Sequence, residues 1–305
     1  MQPQKNAVVI GAGFGGLAAA LRLTARGHRT TVIDALAGPG GRGVQFVRET
    51  AGQRFRYDAG PTVLTAPVLF EELFALFGER LADHVDLLPV APWYRMRFAD
   101  GSELNYGGST AEIQAEIARF SPADAARYPA FLEHSRKLFE KGYVELGTQA
   151  FPGLLSMAKV APAMARLRVD RSVYEVTARY FNDERIRRAF SIQPLLIGGN
   201  PFDTTSIYSL IHYIERRWGI WFPRGGMATL THALVKLGER HGVVFKWNSR
   251  AKSILPENGF AAGVLLESGE VLAASTVVAN ADPGHVLSKM LPGHYGMPDA
   301  VSKKK

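Results

Sequence analysis

The 305-residue chain contains no cysteine. Disulfides, a thiolate nucleophile, Cys-ligated zinc or iron–sulfur centres and a cysteinyl link to a cofactor are therefore excluded. The composition suits a reducing compartment, and no metal site is expected. No stretch reaches the roughly 18 uninterrupted apolar residues of a membrane span. Ala7 to Leu21 is uncharged and follows Lys5, but glycines interrupt it. No small-residue cleavage site is followed by a fresh start, so it does not read as a signal peptide. Fixed-period repeats and low-complexity tracts are also missing. Acidic residues are the scarcer charge, 28 against 36 Lys and Arg, which leaves a formal net charge of +8. That excess suits an anionic partner (nucleic acid, acidic headgroups or a phosphorylated ligand) or a solvated basic surface with no partner. No nucleic-acid-binding motif accompanies it, so nucleic acid ranks last. What is present is a globular composition, 47% apolar and 21% charged, at a length suited to about two domains.

The clearest signal is N-terminal. Asn6–Ala7–Val8–Val9–Ile10 is a β-branched run suited to a strand buried on both faces. It leads into Gly11–Ala12–Gly13–Phe14–Gly15–Gly16, after which Leu17, Ala20, Leu21 and Thr24 recur at helical spacing and Gly27 gives a stop. A second strand, Thr30–Thr31–Val32–Ile33, ends at Asp34. In such a βαβ unit the first glycine turns the chain out of the strand and the second lets backbone approach a pyrophosphate. The third lets helix and strand pack closely, and the helix N-terminus offers free N–H groups. Asp34 is placed to accept from a ribose 2′-hydroxyl and to repel a 2′-phosphate, which argues against NADP. A lone glycine motif is weak, but here strand, helix and terminal acid all accompany it.

NAD and FAD share this unit. Gly38–Pro39–Gly40–Gly41–Arg42–Gly43 follows the second strand at once. A second flexible loop ending in a cation suits the longer cofactor, FAD. Taken alone it reads equally well as a surface turn with a solvated arginine.

With these segments in hand, the chain resembles the flavin-dependent amine oxidase and carotenoid desaturase superfamily. Gly40–Gly41–Arg42 and Tyr57–Asp58–Ala59–Gly60–Pro61–Thr62–Val63 stand where that superfamily has its second and third cofactor-proximal segments. Three central stretches narrow the resemblance to the bacterial and fungal type of phytoene desaturase. They run from Arg188 to Phe202, from Ser206 to His212, and from Trp218 through Trp221–Phe222–Pro223–Arg224 to Gly226. The resemblance extends from about Ala7 to about Leu291.

It implies an α/β fold in which a Rossmann-type FAD-binding domain carries an inserted, mostly helical substrate domain with a few strands. It also implies non-covalent FAD, hydrogen removal from the C40 polyene phytoene, and a cytoplasmic position peripheral to the membrane where that substrate dissolves. The residues it marks for the cofactor are Gly11, Gly13, Phe14, Gly15, Gly16, Asp34, Gly41, Arg42, Gly60, Pro61 and Thr62. Ala251 stands where relatives, usually with valine, touch the adenine through the backbone. A departure is also expected. Family members continue past this length with a glycine-rich segment that packs on the flavin, whereas this sequence ends at Asp299–Ala300–Val301–Ser302–Lys303–Lys304–Lys305. Desaturation or isomerisation of a C30 or hydroxylated carotenoid, a flavin amine oxidase, and a shortened non-catalytic remnant are the alternatives.

The expected organisation is cofactor domain over 1–84, substrate domain over 85–222 and return to the cofactor domain over 223–305. Helices are expected near Val68–Phe77, Ala111–Phe120, Ser121–Tyr143, Tyr174–Phe181, Asp183–Phe190 and Met227–Leu237. Strands are expected at Tyr94–Phe98 with Glu103–Tyr106, at Val243–Phe245, at Ala262–Leu266 with Glu270–Leu272, and as a buried parallel strand at Thr276–Asn280. Hydride transfer from an allylic carbon gives a delocalised cation, so no strong base is required and no catalytic side chain stands out. His212 is the best acid–base candidate, against the plainer reading of a hydrogen-bonded helix residue. Trp218, Trp221 and Phe222 with Leu195, Leu196 and Ile197 read either as the lining of an apolar substrate tunnel or as ordinary core at a domain junction. Apolar residues from Phe151 to Leu167, interleaved with Lys159, Arg166, Arg168 and Arg171, suit either a basic interfacial helix on a membrane or a surface helix on its own core.

Overall fold

A computed structural model describes residues 5–147, 149, 154–291 and 293. The chain divides into two compact units, 1–88 with 221–305, and 89–220.

The first unit opens with β1 (Asn6–Ile10), α1 (Phe14–Ala25) and β2 (Arg29–Ile33), then β3 (Gln45–Thr50), β4 (Gln53–Asp58), α2 (Val68–Ala75) and β5 (Leu87–Pro89). The helical unit holds β6 (Tyr94–Arg97), β7 (Glu103–Tyr106), α3 (Thr110–Ala118), α4 (Pro122–Phe139), α5 (Leu154–Arg166), α6 (Val173–Thr177), α7 (Glu184–Ala189) and α8 (Leu210–Trp218). The first unit resumes with β8 (Trp221–Pro223), α9 (Met227–Arg240), β9 (Val244–Lys246), β10 (Ala251–Glu257), β11 (Phe260–Leu266), β12 (Val271–Ala273) and β13 (Thr276–Ala279).

In the first unit a parallel sheet has the order β13–β1–β2–β9. Strand alternation sends its side chains to two cores. Val9 and Val32 face Leu17, Leu21, Leu230 and Leu234 of α1 and α9. Val8, Ile10 and Ile33 face Ile254, Val264 and Leu266 of the antiparallel β10–β11–β12 sheet. β1 is thus buried on both sides, as its β-branched run predicts. β13 pairs in parallel with β1 as expected, but it is half-buried rather than buried because it forms the sheet edge.

Two hairpins were not anticipated. β10 and β11 turn through Asn258 (φ 50°) and Gly259 (φ 83°), and β3 and β4 through Ala51 (φ 51°) and Gly52 (φ 73°). Consecutive positive φ values give the turn twist that antiparallel strands favour. The second hairpin is exposed along nearly its whole length, so it lacks the one-sided apolar alternation by which strands are recognised. Its Phe46 and Tyr57 rings stack across the strands, 5.3 Å between centroids.

The helical unit packs around Leu104, Ile113, Tyr128, Phe131, Phe181 and Phe190. Ser121 caps α4 by accepting the Asp124 N–H, with Pro122 at the first helical position. The buried Asp124 carboxylate accepts the N–H groups of Asn182 and Asp183 at 2.8–2.9 Å, and so anchors the start of α7 to α4. α4 passes at its end into a π turn over Glu140–Glu145. In α5, Val160, Ala163, Met164 and Leu167 form the partly buried stripe, while Lys159 and Arg166 are exposed. Phe151 and Pro152 lie outside the described residues.

Candidate functional site

β1 hands the chain to Gly11, whose φ of +97° is available only to glycine at low cost. Its N–H donates to Ile33 O at 2.8 Å, which holds the turn against β2. A methyl built on Gly16 would stand 1.8 Å from Gly11 O, so the approach of α1 to β1 requires glycine there. Gly13 caps α1 without a side chain, and the first turn holds no acid. The N–H groups of Phe14, Gly15 and Gly16 therefore have no helical acceptor. The buried Asp34 carboxylate closes this turn, accepting Ala12 N–H at 2.7 Å on Oδ2 and Leu36 N–H at 2.8 Å on Oδ1.

The two later glycine segments meet this turn. Gly40 N–H donates to Ala12 O at 3.0 Å. A methyl on Gly41 would stand 3.3 Å from Gly13 Cα, and one on Gly43 only 2.7 Å from the Phe14 ring. Gly60 lies over Arg42, where a methyl would be 1.9 Å from Arg42 O. Arg42 is exposed, and its guanidinium has no hydrogen bond or ion pair among the described residues. Pro61 and Thr62 are exposed beyond Gly60. Ser249 N–H donates to Asp34 O at 2.7 Å and Asn248 N–H to Leu36 O at 2.9 Å, which brings the start of β10, with half-buried Ala251, to the end of β2. Segments far apart in sequence thus form one glycine-lined backbone cradle, rich in free N–H donors and edged by the Arg42 cation. Such a surface fits a dinucleotide diphosphate.

Three residues of this region escaped the sequence reading. Asn280 follows β13 and lays its side chain over Gly13, Gly15 and Gly16. Asp58 accepts Met227 N–H at 3.1 Å, and so places a carboxylate at the N-terminus of α9. Gln45 donates to Asp58 Oδ1 at 3.3 Å and to Gly225 O at 3.0 Å. A side chain at Gly226 would strike both, 2.5 Å from Gln45 Nε2 and 2.7 Å from Asp58 Oδ1. The Asp in the Tyr57–Thr62 motif and the Gly225–Gly226 pair were the available signals.

In the helical unit, His212 on α8 is 1% exposed. Its Nε2 is 2.9 Å from Phe190 O, a group that only accepts, so Nε2 carries the proton. Nδ1 is then the acceptor for Tyr106 OH at 3.3 Å and Gln193 Nε2 at 3.2 Å. Burial pushes the imidazole down to about 3 from its ordinary 6.5, against the Phe190 carbonyl and with the Arg216 cation adding to the fall. A fully bonded, neutral histidine is the hydrogen-bonded helix residue, not an acid–base group near pH 7.

Glu215 is also fully buried, and receives Tyr94 OH at 2.7 Å. Burial lifts its carboxyl to about 7, outweighing the hydrogen bond from Tyr94 and the Arg216 cation. Arg216 lies over the Trp93 and Tyr106 rings and donates to the carbonyls of Gly107 and Gly108.

The apolar candidates separate. Trp218 packs edge-on against Phe139 in the helical unit, whereas Trp221 rests on the core of the first unit, where Phe222 is half-buried. Leu195, Leu196 and Ile197 are not core within their unit, being 61%, 59% and 56% exposed. The single 3₁₀ turn over Gln193–Ile197 buries Gln193 and Pro194 and ends at left-handed Gly198, which turns the three aliphatic residues outward.

The family model described as flavin containing amine oxidoreductase matches residues 14–303. The chain is 43% identical over 290 residues to a lycopene-forming phytoene desaturase of Pantoea ananas, covering 95% of this chain and 58% of that one. It is 44% identical over 289 residues to a neurosporene-forming phytoene desaturase of Cereibacter sphaeroides, covering 95% and 55%. The chain therefore spans somewhat more than half the length of these relatives. An oxidoreductase from Methanosarcina mazei superposes with a TM-score of 0.63 at 18% identity, over 93% of this chain and 61% of that one, a likeness of fold.

Proposed function

The chain belongs to the flavin containing amine oxidoreductase family, and on that premise we propose that it serves FAD-dependent desaturation of phytoene in carotenoid biosynthesis. The observation that carries this reading is the interlocking of three glycine-rich segments and the Asp34 turn into one cradle whose glycine positions leave no room for a Cβ. Identity to desaturases of this substrate supports the choice of phytoene.

In this reading Gly11, Gly13, Phe14, Gly15 and Gly16 offer backbone N–H groups to the cofactor diphosphate, and the short approach exists because these glycines lack Cβ. Asp34 keeps lone pairs beyond its two backbone bonds with which to accept from the ribose. Arg42, with Gly41 beside it, brings a cation to the phosphates, and Gly60, Pro61 and Thr62 continue the wall. The Ala251 backbone borders the adenine. Bound FAD supplies a two-electron acceptor for the hydride leaving an allylic carbon. The chain's own contribution is to bind, orient and exclude water. The buried, neutral His212 takes no proton in this scheme.

The helical unit is the substrate-facing part. The exposed Leu195, Leu196, Ile197 and Phe202 support peripheral contact with a membrane, the phase in which a C40 polyene dissolves. No helix among the described residues is long and apolar enough to cross one. The experiment is incubation of the chain with FAD and phytoene-loaded liposomes, followed by chromatography of the extract. Polyenes with longer conjugation are expected; unchanged phytoene beside an active full-length relative contradicts the reading.

A further inference from the structure

β13 ends at Ala279, and the N–H of the next residue, Asn280, donates to Ile10 O at 2.8 Å. That bond carries the β13–β1 ladder one step past the strand and sets the Asn280 backbone beside Gly11, where a methyl would stand 2.8 Å from Asn280 O. The side chain is thereby directed across the start of α1. A methyl built on Gly15 would stand 2.7 Å from Asn280 Oδ1, and methyls on Gly13 and Gly16 would each stand 3.2 Å from Nδ2.

Asn280 is exposed, and its amide has no hydrogen bond among the described residues. Its Nδ2 can donate twice. Those donors stand against the first turn of α1, which holds no acid and where the N–H groups of Phe14, Gly15 and Gly16 have no helical acceptor. Resting on the FAD reading above, we propose that Asn280 is a cofactor-positioning residue whose Nδ2 donates to the dinucleotide diphosphate. A second consequence is local. A methyl at position 15 meets Asn280 Oδ1, the far end of a side chain, so it is relieved by shortening residue 280.

The test is calorimetric titration of FAD and of ADP into the 305-residue chain, its Asn280→Ala and Asn280→Asp variants, and the pair Gly15→Ala and Gly15→Ala/Asn280→Gly. Asn280→Ala is expected to weaken both ligands several-fold. Asn280→Asp, which turns a carboxylate on phosphate oxygens, is expected to weaken them about tenfold or more, since hydrogen bonds to charged groups are the strong class. Both should unfold at the wild-type temperature, whereas a merely structural residue would lower it and weaken both variants alike. The Gly15→Ala melting temperature should rise when Asn280→Gly is added. Wild-type affinity within twofold for Asn280→Asp overturns the assignment and leaves the FAD reading intact. Failure of the wild-type chain to bind FAD or ADP overturns that reading, and the assignment with it.

Discussion

The Asp34 carboxylate accepts the Ala12 N–H at 2.7 Å, tying the end of β2 to the first glycine turn. The sequence suggests only a ribose acceptor at this position. The structure adds an architectural role, because the Leu36 N–H takes the other oxygen at 2.8 Å. Asp34→Ala leaves the Ala12 donor buried and unpaired, which costs roughly 1–3 kcal/mol. Asp34→Asn turns an NH₂ group toward one of two backbone donors and is expected to cost nearly as much. Urea unfolding of the two variants measures this; wild-type midpoints would show that the bond is only incidental.

Gly16 and Gly27 are both glycines of the same βαβ unit, yet they should respond differently. A methyl at Gly16 meets a backbone oxygen at 1.8 Å, which no side-chain movement relieves. Gly16→Ala is expected to lose more than the about 1–3 kcal/mol of ordinary overpacking and to abolish FAD binding. Gly27 has φ +84° and nothing within 4 Å. Gly27→Ala should cost only about 1–2 kcal/mol of left-handed strain and leave binding intact. Equal losses at the two sites would contradict the close-packing argument.

The buried pair on α8 makes opposing contributions to the pH dependence of the helical unit. Glu215 is raised to about 7 from its ordinary 4.5. The folded unit therefore keeps a proton that the unfolded chain gives up, and this contribution is full below about 4.5 and is lost as pH rises through about 7. His212 is lowered to about 3 from 6.5, so its contribution is full above about 6.5 and is lost as pH falls toward about 3. The two slopes oppose one another between about 4.5 and 6.5, and below that range the His212 contribution falls alone. Glu215→Gln, which keeps an acceptor for Tyr94, should be more stable than wild type near pH 8 and equal to it near pH 4. Thermal melts across pH decide this, and a variant weaker at both values would refute it.

Exposed Leu195, Leu196 and Ile197 give the membrane proposal a defined surface. Replacing all three by Ser removes several kcal/mol of transferable apolar surface, taking about 1.5–3 kcal/mol for each aliphatic side chain fully buried. Co-sedimentation with phospholipid vesicles should fall at least tenfold at unchanged melting temperature. Retained co-sedimentation would move the contact elsewhere, with the basic stretch around α5 next to be examined.

Where one physical pattern dominates, the sequence is legible. The β-branched run of β1, the spacing Leu17–Ala20–Leu21, and the Ser121–Pro122 start of α4 each specify an element locally, and each forms. The glycine segments were legible as chemistry for the same reason: few other residues fit such backbone. Tertiary context hid the rest. The β10 hairpin carried an Asn258–Gly259 turn signal, but Pro256 and the register shifts in β10 obscure its alternation. Glu215 sits in Ile214–Glu215–Arg216–Arg217, which reads as a solvated helix face, yet Tyr94 draws its carboxyl inward. Leu195–Leu196–Ile197 reads as tunnel lining or as core, and the exposure left by the turn at Gly198 removes the second reading. Asn280 has no local signature, since its meaning comes from β13 lying beside β1.

The claim that these segments form one FAD cradle is tested most directly by the visible absorbance of the purified 305-residue chain after incubation with FAD and gel filtration. A flavin band that co-elutes with the protein near one equivalent, is displaced by ADP and is absent from Gly16→Ala is the predicted result. A folded wild-type chain that elutes without flavin would contradict it.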